Sequence, residues 1–221
     1  MIIEFNGLPG TGKTTVSRTL GERVKGRCSV AYKFAPMGSK LKRYLSSVFD
    51  GSLTLYRLGA AYSDSVTGGD KENRKYAFVL LKYYRMYRAF RSHSAENGVL
   101  LIDQGFIQAF ISIAHGREIT DVTALDRVLE FLKKKGVEFT TVNCLGGVDL
   151  ACERIISRGA TVGRLDVCGD EERTAVLTVQ EKNFVTVRNR VAEILGYGKV
   201  SIDTAIPPEE NAAFIESELS I

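Results

Sequence analysis

The stretch Gly7-Leu8-Pro9-Gly10-Thr11-Gly12-Lys13-Thr14 constrains the fold of this chain more than any other. It is a G-x-x-x-x-G-K-T loop, and such a loop has physical meaning only between a strand and a helix. Both flanks comply. Residues 2–6 are short and mostly apolar and suit a buried strand. After the loop Val16, Leu20 and Val24 recur at helical spacing, which predicts a helix over 13–25. The residue types follow from the chemistry of anion binding. Glycines let the backbone bend until several N–H groups point at one anion. The helix behind adds its positive end. In such a loop Lys13 reaches the β- and γ-phosphates of a nucleotide, and Thr14 offers its hydroxyl to Mg²⁺. Gly7, Gly10, Thr11, Gly12, Lys13, Thr14 and Thr15 are therefore candidate nucleotide-binding residues, with Lys13 also a catalytic candidate.

Beyond the loop, strand-like and helix-like segments alternate, the signature of a parallel α/β sheet. Strands are expected at 2–6, 29–34, 99–102, 139–145 and 199–202, and helices at 13–25, 39–49, 72–95, 105–115, 121–135, 148–158, 171–195 and 207–219. Pro207-Pro208-Glu209-Glu210 reads as a helix start, with proline where no N–H is needed and acids at the positive dipole end. Residues 51–69 are rich in glycine and serine and read as a loop beside the site. The 221 residues suit one α/β domain with a lid. No apolar run approaches the ~20 residues that span a bilayer, and no basic leader precedes the first strand. The four cysteines, Cys28, Cys144, Cys152 and Cys168, have no metal-site spacing and read as reduced thiols of a cytoplasmic protein. The net charge of +4 fits polyanionic substrates without implying a nucleic-acid partner.

Asp103 is the second candidate. An acid closing the central strand Val99-Leu100-Leu101-Ile102 sits where ligands bind in open α/β sheets. It can hold Mg²⁺ through water, take a proton from an acceptor, or simply cap the next helix. A third group is Arg154, Arg158 and Arg164. Arg154 and Arg158 are four residues apart and share a helix face. Arginines there and on the segment beyond Gly159 can close over phosphates, or can form an ordinary solvated face.

Together these segments resemble the P-loop kinases of the nucleoside-monophosphate-kinase type, and within them the thymidylate-kinase-like branch. The likeness spans nearly the whole chain. It rests on Gly7–Thr14, Leu100-Leu101-Ile102-Asp103, Ala151-Cys152-Glu153-Arg154-Ile155-Ile156-Ser157-Arg158-Gly159, and Ile202-Asp203-Thr204-Ala205 with Pro208-Glu209-Glu210. The resemblance implies a three-layer α/β/α P-loop NTPase fold with a five-stranded parallel sheet in the order 2-3-1-4-5. It also implies an acceptor-binding insertion over about 36–95 and a lid over about 159–172. ATP and Mg²⁺ are the implied cofactors. Arg154 would stack on adenine, Arg158 would touch phosphate, and Arg164 would reach the transferring phosphoryl group. Thr204 and Ala205 would line the adenine pocket.

The acceptor side departs from that pattern. Thymidylate kinases carry Asp-Arg after the third strand and deoxynucleoside kinases Glu-Arg, whereas this chain has Asp103-Gln104-Gly105. The second strand also ends without a carboxylate. Asp103 is left as the candidate base, with Gln104 and Gln108 as hydrogen-bonding candidates or plain helix residues. Residues 71–91 interleave Lys71, Arg74, Lys75, Lys82, Arg85, Arg88 and Arg91 with Tyr76, Phe78, Tyr83, Tyr84, Tyr87 and Phe90. In the resembled kinases an arginine on this helix binds the acceptor, and Arg85 lies nearest that place. The alternative is an amphipathic helix with tyrosines in the core and a solvated basic face. The leading reading is an ATP-dependent phosphotransferase acting on a nucleotide or nucleoside, with a sugar, glycan precursor or other metabolite as the alternative acceptor. An ATP-binding switch acting through a protein partner is the reading from another class. No membrane partner is expected, nucleic acid is disfavoured, and a homodimer stays open.

Overall fold

Five short segments pair side by side into one parallel sheet. The computed structural model describes residues 1–27, 29–31, 51–69, 77–93, 98–159, 165–196 and 198–221. Strands β1 (Ile2–Asn6), β2 (Ser29–Ala31), β3 (Gly98–Ile102), β4 (Thr140–Leu145) and β5 (Lys199–Asp203) lie in the order β2-β3-β1-β4-β5. The central β1 pairs Ile3 with Leu101 on one side and with Thr140 on the other. All five residues of β1 are buried, as are all five of β3, which is why both read as continuous rather than alternating runs.

The side-chain period of two splits the sheet into two cores. Ile3, Phe5, Leu101 and Val142 face helices α1 (Lys13–Val24) and α8 (Pro208–Leu219), packing with Val16, Leu20 and Ile215. Ile2, Leu100 and Ile102 face the larger core. That core is built from α2 (Ser52–Thr67), α3 (Ala77–His93), α4 (Phe106–Ala114), α5 (Thr123–Lys134), α6 (Gly147–Ser157) and α7 (Asp170–Leu195). Helix α5 shows why such a segment folds this way. Leu125, Val128, Leu129 and Leu132 make one fully buried stripe, with charged residues on the rest of its surface.

Residues 51–69 are not a loop. They form the 16-residue helix α2, capped by Gly51 and Gly68. Small residues mislead here because their job is close packing. A side chain at Gly59 would stand 2.9 Å from Leu80 Cδ1, so glycine lets α2 press against α3. Leu55 and Tyr62 fill the core beside it. The expected helix over 72–95 is observed as α3. Its Tyr83, Tyr84, Tyr87 and Phe90 are buried, whereas Lys82, Arg88 and Arg91 face solvent. Those four aromatics of α3 are therefore core, whereas Phe78 at its start is exposed and Tyr76 lies outside the described residues. The expected helix 39–49, the end of the second strand at 32–34, the basic residues Lys71, Arg74 and Lys75, and Arg164 lie outside the described residues. Among the described residues no helix is long and apolar enough to cross a membrane.

Candidate active site

The glycine loop 7–14 leaves the carboxyl end of β1 and turns directly into α1, whose first residue is Lys13. The turn needs glycine. At Gly10 the backbone has φ +87°, and an added Cβ would stand 2.7 Å from the Ala151 carbonyl oxygen. The loop is braced internally: Thr11 Oγ1 donates to the Leu8 carbonyl at 2.8 Å. Lys13 is buried, and its Nζ donates to the carbonyls of Gly7 at 2.8 Å and Leu8 at 2.7 Å. Burial pulls the Lys13 ammonium down to about 8, while nearby Cys144 and Asp103 oppose that shift. The Cys144 thiol is itself pushed up to about 12 by burial.

Asp103 follows β3, the neighbour of β1 in the sheet, and this places it beside the loop. Thr14 Oγ1 donates to Asp103 Oδ2 at 2.9 Å across 89 positions of sequence. The two residues sequence reasoning assigned to Mg²⁺ thus meet. A hydroxyl and a carboxylate at the mouth of an anion-binding loop fit a hard, oxygen-preferring cation.

A cavity of about 560 Å³ is lined by Gly10, Gly12, Lys13 and Thr14 of the loop and its helix, by Arg154 and Arg158, and by Gln104 and Gln108. Thr14 reaches it directly, whereas Asp103 is not among its lining residues and adjoins it through the bond to Thr14. Arg154 Nη2 donates to the Thr204 carbonyl at 2.8 Å, which joins α6 to the loop after β5. Thr204 in turn donates through Oγ1 to the Leu145 carbonyl at 2.8 Å, and the backbone N–H of Ala205 bonds Asp203 Oδ1 at 2.8 Å. Arg158 Nε donates to Asp166 Oδ1 at 3.2 Å, with a second contact from Nη2. Asp166 is buried, so Arg158 is held at the rim of the cavity by a carboxylate the sequence reading had not singled out.

Other candidates stand apart. Arg85 is half-buried on α3 and is not among the residues lining the cavity. Thr15 is exposed on α1, and the Thr11 hydroxyl is spent inside the loop. Conversely, the cavity includes Ser112, His115, Leu165, Asp166 and Gln180, none of which belongs to a recognisable motif. A further buried carboxylate, Glu4 of β1, lies at the N-terminus of α4. Its Oε1 accepts the Ile107 N–H at 2.7 Å, and Gly105 leaves the room it needs, because an added Cβ would fall 2.1 Å from Glu4 Cδ. Burial raises Glu4 to about 7 despite the helix-terminal N–H groups that lower it. Burial, Glu4 and Asp103 together raise the Tyr83 hydroxyl well above its ordinary value. The signal for Glu4 was present as an acid inside an otherwise buried strand.

No family model matches the chain, and no curated protein matches it. Solved structures do. Deoxyadenosine kinase from M. mycoides with bound dATP aligns over all of both chains, at 13% identity and a TM-score of 0.59. The same enzyme with products dCMP and a flexible dCDP bound gives 14% identity and 0.59, and with bound dCTP 13% and 0.55, each covering 100% of this chain and 99% of the other. At this identity the likeness is one of fold, and the chain has the α/β fold of that kinase.

Proposed function

We propose that the chain is a P-loop kinase that transfers the γ-phosphoryl group of ATP to a small-molecule acceptor, a nucleoside or nucleotide in the first instance. One observation carries this reading: the 2.9 Å bond between Thr14 and Asp103, which joins the strand-end carboxylate to a glycine loop whose Thr14 lines the same cavity as Arg154 and Arg158. A switch protein has less use for an acceptor-sized cavity joined to the loop.

In this reading the backbone N–H groups of residues 10–14 and Lys13 hold the triphosphate. Thr14 and Asp103 would hold Mg²⁺, which neutralises phosphate charge when bound. Arg154 lies against the adenine side beside Thr204 and Ala205. Arg158 acts on the transferring group, a role the resemblance also gives Arg164, which lies outside the described residues, and Asp103 takes the acceptor proton. Catalysis is then mostly positioning and charge stabilisation, as phosphoryl transfer requires. Arg85 has no place at the acceptor in this arrangement. In this reading the donor side follows the thymidylate-kinase-like branch that the sequence resembles, and Asp103-Gln104-Gly105 marks a different acceptor chemistry. Reduced thiols at Cys144 and Cys152 accord with a cytoplasmic setting.

The test is ADP release from ATP·Mg²⁺ with nucleosides, nucleoside monophosphates, sugars and sugar phosphates, using Lys13→Ala as the blank. One acceptor class should stimulate turnover. Asp103→Asn should then lower kcat about a hundredfold or more, the scale of a lost general base, with ATP affinity nearly unchanged. Turnover that survives Lys13→Ala, or Asp103→Asn with full kcat, would overturn the assignment.

A further inference from the structure

Helix α4 is apolar almost throughout: Phe106, Ile107, Ala109, Phe110, Ile111, Ile113 and Ala114 are all buried. Its two polar residues are Gln108 and Ser112, and His115 follows at its end. These three positions are spaced by four and three residues, so they form one stripe. That stripe lines the cavity, and Gln180 of α7 lines the same cavity. Gln108 is 9% exposed and Gln180 5%, and the amide oxygen of each finds no hydrogen-bond partner among the described residues. A buried amide oxygen without a partner costs free energy that a plain core helix would avoid by using leucine. Two such atoms at one cavity wall call for donors from beyond the described residues, and a molecule bound in the cavity can supply both.

The chemistry of the wall limits what supplies them. Lys13, Arg154, Arg158 and Asp166 lie at the phosphate end, on the loop, on α6 and its C-cap, and at residue 166. The α4–α7 wall contributes amides, a hydroxyl and one imidazole, and no lysine, arginine or carboxylate on these two helices lines the cavity. A phosphate docked against this wall would lose its hydration without gaining a cation. We propose that Gln108, Ser112 and Gln180 form the acceptor-recognition wall, and that it takes an uncharged group bearing at least two hydrogen-bond donors. A nucleobase edge and the hydroxyls of a sugar share that chemistry. This inference rests on the kinase reading for its name "acceptor", but the binding site itself can be tested without turnover.

The experiment is equilibrium binding by titration calorimetry, with deoxyadenosine, deoxycytidine, their 5′-monophosphates and 2-deoxyribose as probes. It is run on the wild-type chain and on Gln108→Met and Gln180→Met, which keep side-chain length and remove only the amide. At least one uncharged probe should bind, and each variant should weaken it tenfold or more while ATP affinity moves less than twofold. The nucleosides against 2-deoxyribose decide between base and sugar as the source of the donors. If the amides are merely unsatisfied core groups, both variants will be as stable as wild type or more so and will bind every probe unchanged, which overturns the proposal. Binding of the 5′-monophosphates alone, or of no uncharged probe, also overturns it. ADP release measured in parallel separates the two claims. Turnover with an acceptor KM untouched by either variant leaves the kinase and removes the wall. Amide-dependent binding without phosphoryl transfer does the reverse.

Discussion

Lys13 meets two opposed demands. It is buried against the loop carbonyls, and in the proposed function it must be charged to hold a triphosphate. Burial has already pulled it down to about 8, so above that pH the free protein holds a neutral amine. ATP binding must then bring a proton with it. ATP affinity should therefore be flat to about pH 8 and fall by about tenfold per pH unit beyond. Calorimetry in two buffers of different ionisation enthalpy would show the proton uptake, and a flat affinity to pH 9.5 would refute it. Glu4 gives a second pH dependence, in stability. Its folded value of about 7 lies above the ordinary 4.5, so the folded chain keeps a proton that the unfolded chain has released. Stability contributed by neutral Glu4 is complete below about pH 4.5 and is lost as pH rises to about 7. Glu4→Gln keeps the acceptor oxygen for the Ile107 N–H and removes the charge. It should erase that slope and add roughly 3 kcal/mol at pH 8, read from urea unfolding at pH 5 and 8. An unchanged slope in the variant would mean another group titrates. At this scale sequence reading was uneven. That Thr14 and Asp103 would meet beside Lys13 was legible, because a motif and a strand end announce them. Gln180 and Asp166 were not, because nothing local distinguishes a glutamine on a long helix or an aspartate between turns.

Elements were legible where one period dominates. Strands β1, β3, β4 and β5 begin and end within a residue or two of their expected bounds, since runs such as Val99-Leu100-Leu101-Ile102 have one dominant pattern. Helix α5 declares itself through its leucine stripe. Helix α2 hid because glycine and serine served close packing, and local composition cannot tell that use from a turn. Helix α4 was found, but its polar stripe gains meaning only once α7 lies opposite it. Helix α6 carries the prediction proper to this scale. Arg158 is its C-cap, and Asp166, contributed by the segment leading to α7, holds the guanidinium at the cavity rim. Because Arg158 is 44% exposed, loss of its partner leaves the cation solvated. Asp166→Asn should cost less than about 1 kcal/mol of stability. The same change frees Arg158 from its place at the cavity rim, so if Arg158 acts on the transferring group as proposed, kcat should fall about tenfold with ATP KM nearly constant. A large loss of stability with unchanged kcat would make the pair structural.

The whole molecule converges on one end of its sheet. The loop follows β1, Asp103 follows β3, α6 follows β4 and Thr204 follows β5, so residues from position 7 to position 204 meet at the carboxyl ends of parallel strands. This is the place where strands hand over to loops and where backbone N–H groups are free to bind. A nucleotide there would touch groups from both halves of the chain. Its binding free energy should then appear in global unfolding and not only in local order. At a hundredfold excess over Kd the gain is about 2.7 kcal/mol, which for a domain of this size raises Tm by roughly 5–10 °C. A thermal scan with ATP·Mg²⁺ should show one transition moved by that amount in the wild type. Lys13→Ala should show no shift. If ATP protects only the loop amides against hydrogen exchange and leaves Tm in place, the elements around the cavity do not respond to the nucleotide as one body, and the convergence of strand ends is architectural rather than energetic.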